Sequence, residues 1–69
     1  MNFYTIKNMV FKFYQLDKKF YYRGGRGQEE SFCGRIIQFF PRVFLVKTTK
    51  GEIKCFSYVD YFVKLLKII

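Results

Sequence analysis

Residues 34–62 read GRIIQFFPRVFLVKTTKGEIKCFSYVDYF. Val43 to Thr48 (VFLVKT) is a run of apolar and β-branched residues, Thr49-Lys50-Gly51 is a tight-turn sequence, and Glu52 to Ser57 returns as an alternating run. Two such runs around a glycine-containing turn predict a β-hairpin. Side chains alternate across a strand, so Ile53 and Cys55 are expected on one face and Lys54 and Phe56 on the other. Pro41 has no N–H to give to a ladder and is expected at a turn or an edge. Before it, Glu30 to Phe40 reads as one long strand whose apolar residues do not alternate strictly, and Gly34 within it predicts a bulge or bend. After the hairpin, Ser57 to Phe62 breaks the alternation. Ser57 or Asp60 bonding to nearby backbone amides predicts a short 3-10 turn. Lys64 to Ile69 then closes the chain as a strand.

Working toward the N-terminus, Arg23 to Gly27 (RGGRG) holds three glycines and must be a loop, because Gly weakens helix and strand interiors alike. Leu16 to Tyr22 is strand-like. In residues 5–14, Ile6, Met9, Val10, Phe13 and Tyr14 fall at helical spacing with Thr5 as N-cap, although the aromatic and β-branched content keeps a strand in contention. The chain thus divides into an N-terminal helix (1–15) and a β-domain (16–69), a single domain over residues 1–69. Five short antiparallel strands of this length fit a mainly β, SH3-like (Sm-like) barrel with a 3-10 turn before the last strand. An OB-like barrel is the alternative, for which the strands are short.

The chain has 69 residues, enough for one domain. Such a domain buries only about 60% of its unfolded surface, so packing must be efficient. Ten Phe and six Tyr supply the material, at about 150–250 Å² each, and exceed what so small a core holds. Some are therefore expected at the surface as a contact face, although a compositional bias toward Phe, Tyr, Ile and Lys also explains their number. The formal net charge is +8. It is even along the chain: residues 1–35 carry seven basic and three acidic side chains, and residues 36–69 six and two, net +4 each. Any basic patch must therefore be made by folding. A charge of this size favours polyanionic partners, and it also serves solubility.

Cys33 and Cys55 are too few and too distant for a disulfide scaffold, and with no His they leave a zinc site short of ligands. Both are expected to be buried small hydrophobes. No His also rules out a Ser–His–Asp triad around Ser57, Tyr58 and Asp60, and a single Asp there has no paired carboxylate for glycoside chemistry. The glycine run lacks the spacing of a dinucleotide fingerprint and the Lys-Ser/Thr of a P-loop. No catalytic residue, metal or cofactor is expected. There is no secretory signal pattern at the N-terminus and no apolar stretch near the ~20 residues of a membrane span, so a cytoplasmic setting without membrane contact is expected.

The residues expected to contact a partner are Arg23, Gly24, Gly25, Arg26, Arg35, Lys54 and Tyr22. Glycine-loop N–H groups and guanidinium forks suit phosphate or carboxylate. The competing reading is a solvated turn whose arginines pair with Glu29 and Glu30. Tyr21, Tyr22, Phe39, Phe40 and Tyr58 are candidates for base stacking, set against ordinary packing.

The same residues carry a resemblance. Gly24-Gly25-Arg26, then Gly34 leading to Phe40-Pro41-Arg42-Val43-Phe44-Leu45-Val46, then Ser57-Tyr58-Val59-Asp60, follow in order and nearly without gaps, with Ile6-Lys7 at the matching distance upstream. Together they resemble the Veg family of small Gram-positive bacterial proteins over most of the chain. That family has a GGR loop, Tyr-Pro-Ser-Val-Phe-Val and Ser-Tyr-x-Asp in these places. The chain departs from it at Gly27-Gln28, where the family is more basic, in a shorter hairpin near Thr48–Glu52, and at Val63. The resemblance implies an SH3-like barrel without enzyme activity, acting in transcription regulation connected with biofilm formation. The partner expected is nucleic acid (DNA or RNA) or a transcription-regulator protein. The alternative role is a protein-interaction adaptor, or an RNA- or ribosome-associated module, and homodimerisation through exposed aromatics fits either.

Overall fold

A computed structural model describes residues 3–24 and 29–69. The chain is mainly β. Helix α1 (Phe3–Phe11) precedes β1 (Lys18–Arg23), β2 (Glu29–Phe39), β3 (Val43–Thr48) and β4 (Ile53–Ser57); α2 (Tyr58–Phe62) and β5 (Leu66–Ile68) follow. The strands form one antiparallel sheet in the order β4-β3-β2-β1-β5. Among the described residues β4 and β5 do not pair with each other, so the sheet is open at both edges.

Several expectations need correction. Helix α1 spans Phe3–Phe11 rather than 1–15, and Thr5 lies inside it instead of capping it. The chain leaves the helix through i→i−3 bonds, Phe13 N–H to Val10 O at 2.9 Å and Tyr14 N–H to Phe11 O at 3.0 Å. Gln15, at φ 59°, then reverses it. The register irregularity in β2 falls between Ile36 and Gln38, not at Gly34. The segment before the last strand is an α-helical turn, α2, rather than a 3-10 turn. Its cap is as expected: Ser57 Oγ accepts from Val59 N–H at 3.1 Å. Pro41 sits in the β2–β3 turn, closed by Phe40 N–H to Val43 O at 2.8 Å. Gly51, at φ +88°, completes the β3–β4 turn, a conformation that glycine adopts without steric cost. Cys33 and Cys55 are exposed, because strand parity turns both away from the core.

Gly34 is needed for strand approach. A Cβ there would meet Lys47 O at 2.5 Å and Thr48 Cα at 3.0 Å. Both are backbone atoms of β3, so no rotamer change relieves the clash. Gly34→Ala is expected to lower stability by about 3 kcal/mol, the upper part of the ordinary overpacking range. A urea titration with an unchanged midpoint would show that β2 and β3 are not this close.

The core joins one face of the sheet to α1 and α2. It comprises Ile6, Val10, Phe20, Ile36, Phe44, Val46, Phe56, Tyr58 and Leu66. Ile6 and Val10 stand one helical turn apart and form the buried stripe of α1. Phe44, Val46 and Thr48 are the inward-facing alternate positions of β3. Across the strands runs a chain of rings, with centroids 5.3 Å apart for Phe20–Phe32, 5.9 Å for Phe32–Phe56, 6.1 Å for Phe56–Phe44 and 5.5 Å for Phe44–Tyr58. The buried Tyr58 hydroxyl donates to Phe40 O, tying α2 to the Pro41 turn. Burial holds this phenol above its ordinary pKa, since the charged form is disfavoured away from water.

Candidate functional site

Register decides which side chains share a face, because residues directly opposite in an antiparallel pair point the same way. Phe20, Phe32, Ile36, Val46 and Phe56 face the helices. The opposite, outward face carries Lys67 opposite Tyr21, Lys19 opposite Cys33, Arg23 opposite Glu29 and Arg35 opposite Lys47. A basic band thus crosses β5, β1, β2 and β3.

The expected contact residues divide between the two faces. Arg23 and Arg35 are outward and exposed. Tyr22 is inward, half-buried, with its ring 5.2 Å from that of Phe56. Lys54 also belongs to the inward parity, at the rim of the sheet, with its Nζ 5.3 Å from the Phe32 ring centroid. These two therefore do not join the arginines on one face. Gly24 follows β1, and a Cβ there would stand 3.0 Å from the Tyr22 ring. Gly25 and Arg26 lie outside the described residues. Of the proposed stacking residues, Tyr58 is buried in the core and Phe40 is exposed.

Among the described residues Arg35 pairs with Asp17 at 3.0 Å, Arg23 with Glu29 at 3.5 Å and Lys54 with Glu30 at 3.5 Å. All are at or near the surface, where such pairs contribute little to stability and leave the cations able to exchange partners. Lys19, Lys47 and Lys67 form no ion pair with a described residue. The sequence reading missed these three. For Lys19 the signal is the period-two spacing Lys19-x-Tyr21-x-Arg23 on β1, whereas Lys47 and Lys67 reach this face only through strand pairing, opposite Arg35 and Tyr21.

The outward face is not flat. Beside the start of β1 it has a groove of about 620 Å³, lined in part by Gln15, Asp17, Arg35, Lys47 and Thr49. Arg35 and Lys47 stand directly opposite one another across β2 and β3. Like charges in that position repel, and Asp17 offsets only one of them, so an anion in the groove would relieve the repulsion. Further along the face, the nearby Glu29 carboxylate holds the Tyr21 phenol above its ordinary pKa. With the phenols of Tyr21 and Tyr58 both raised, neither is a general base near neutral pH. Among the described residues no cluster of three His, Cys, Asp or Glu side chains could hold a metal ion. No helix among the described residues is long and apolar enough to cross a membrane. What the groove offers is fixed positive charge and hydrogen-bond donors.

A second concavity, about 400 Å³, is apolar and lies where α1, α2 and β5 meet, lined by Met9, Tyr61, Phe62, Leu66 and Ile69 among others.

Comparison with family models, curated proteins and solved structures returns no match to this chain.

Proposed function

We propose that this chain is a small, non-enzymatic SH3-like barrel protein of Veg type, which binds nucleic acid in the regulation of transcription. The strand order β4-β3-β2-β1-β5, with a short helix between β4 and β5, supports the barrel reading. The observation that carries the binding role is the outward basic band, centred on the Arg35–Lys47 pair in the groove, of which Asp17 offsets only Arg35. Phosphates neutralise such a band and release condensed counterions, so affinity falls steeply with salt.

The test is a filter-binding titration with DNA and RNA over a salt series. If Lys19, Arg35, Lys47 and Lys67 each meet one phosphate, affinity drops about a hundredfold between 50 and 200 mM salt. Weak, salt-independent binding to both polymers would overturn the proposal.

The alternative is a protein-interaction adaptor, favoured by the apolar groove beside α2 and by the open β4 and β5 edges. Strand addition would occur at β4 or β5, since the Pro41 turn joins two interior strands. One stoichiometric protein partner, retained after nuclease treatment, would favour the adaptor.

A further inference from the structure

At the C-terminal end of α1 three aromatic rings stand together. Phe11 and Tyr14 are stacked with centroids 5.8 Å apart and planes at 19°, and Phe39 lies 5.3 Å from Phe11 and 5.5 Å from Tyr14. Phe39 packs onto the core, whereas Phe11 is 55% and Tyr14 38% exposed. Two rings of one cluster are thus left in water although the cluster is anchored from beneath. The cluster adjoins the basic groove: Gln15 lines the groove, and its Nε2 donates to the Tyr14 hydroxyl at 3.3 Å. Gln15 N–H also donates to Ile36 O at 3.0 Å, which fixes this segment against the strand that carries Arg35.

We infer that the ligand of this face is single-stranded nucleic acid, its backbone in the Arg35–Lys47 groove and unpaired bases on the Phe11–Tyr14 platform. The inference rests on the polyanion reading above and adds the class of polymer. Aromatic faces beside a cationic groove are what an unpaired strand requires, since every base has a face to stack. A duplex keeps its base faces inside the stack and gains nothing from the platform. A duplex would therefore use the cations alone. Ring stacking does not distinguish ribose from deoxyribose, so both sugars are accepted.

The experiment is fluorescence anisotropy at fixed low salt with labelled oligothymidylate, oligouridylate and a blunt DNA duplex of the same length. Wild type, Phe11→Ala, Phe11→Leu and Tyr14→Ala are compared. The leucine variant retains apolar packing and removes only the ring, which guards against a folding defect. Wild type is expected to bind both single strands at least tenfold more tightly than the duplex. Each variant is expected to lose about tenfold on single strands, the order of one stacked base, and to keep its duplex affinity. Equal affinity for duplex and single strands, or a preference unchanged in Phe11→Leu and Tyr14→Ala, would overturn the inference while leaving salt-dependent polyanion binding in place. Failure to bind any of the three polymers would overturn both.

Discussion

Phe44→Ala is expected to remove about 3–5 kcal/mol of folding stability, the range for truncating a buried Phe. Phe44 is fully buried, and its ring lies 6.4 Å from Phe39, 6.1 Å from Phe56 and 5.5 Å from Tyr58. It therefore joins the sheet, the α2 turn and the base of the aromatic platform. The surroundings cannot collapse onto the space: β2 and β4 hold β3 on both sides by ladder bonds, and Tyr58 is held by its hydrogen bond to Phe40. A domain of this length has total stability of about 3–10 kcal/mol, so the loss takes a large part of it or all of it. Urea unfolding monitored by circular dichroism checks this. A loss below about 1 kcal/mol would show that the ring chain through Phe44 is not what holds the sheet to α2.

The second large effect concerns binding. Replacing Lys19, Lys47 and Lys67 together by Glu reverses three cations on the outward face that have no carboxylate partner among the described residues. Each lysine that contacts a phosphate contributes an electrostatic, sequence-independent share of affinity, and each glutamate adds repulsion. Together the loss is expected to be about a thousandfold, with the salt dependence flattened by about three contacts. All three positions are exposed, so the fold is expected to survive. An unchanged melting temperature beside lost binding would assign the effect to the face. Unchanged binding would place the nucleic-acid contacts elsewhere on the molecule.

The strands and turns were legible because their signals are local. Pro41, Gly51 and the alternation of Ile53 to Ser57 each act within a few residues, and all fell as expected. The end of α1 was not, because Lys12 to Tyr14 continue the helical spacing, and the chain is turned instead by Gln15 bonding to Ile36, twenty-one positions further on (36 − 15). Gly34 by residue type predicts a bulge or bend, but its role is the close approach of the β3 backbone, which only the fold reveals. Residue type alone predicts buried cysteines, whereas parity on β2 and β4 turns Cys33 and Cys55 out.

The candidate site was legible in kind but not in membership. Charge and glycine content drew attention to Arg23, Arg26 and Arg35. Face assignment then removes Tyr22 and Lys54, and adds Lys19, Lys47 and Lys67, because strand pairing brings together residues from β5, β1, β2 and β3 that are far apart in sequence. Tyr14 continues the helical spacing in the sequence while Phe11 lies outside that stripe, and the exposure of both follows from where the helix ends.

Mapping amide chemical shifts during titration of the isotopically labelled protein with a short oligonucleotide tests the central claim most directly. Perturbations concentrated at Gln15, Lys19, Arg35, Lys47 and Thr49, with Phe11 and Tyr14 beside them, are the predicted result. Shifts confined to Met9, Phe62 and Ile69 around the apolar groove, or no shifts at saturating oligonucleotide, would contradict it.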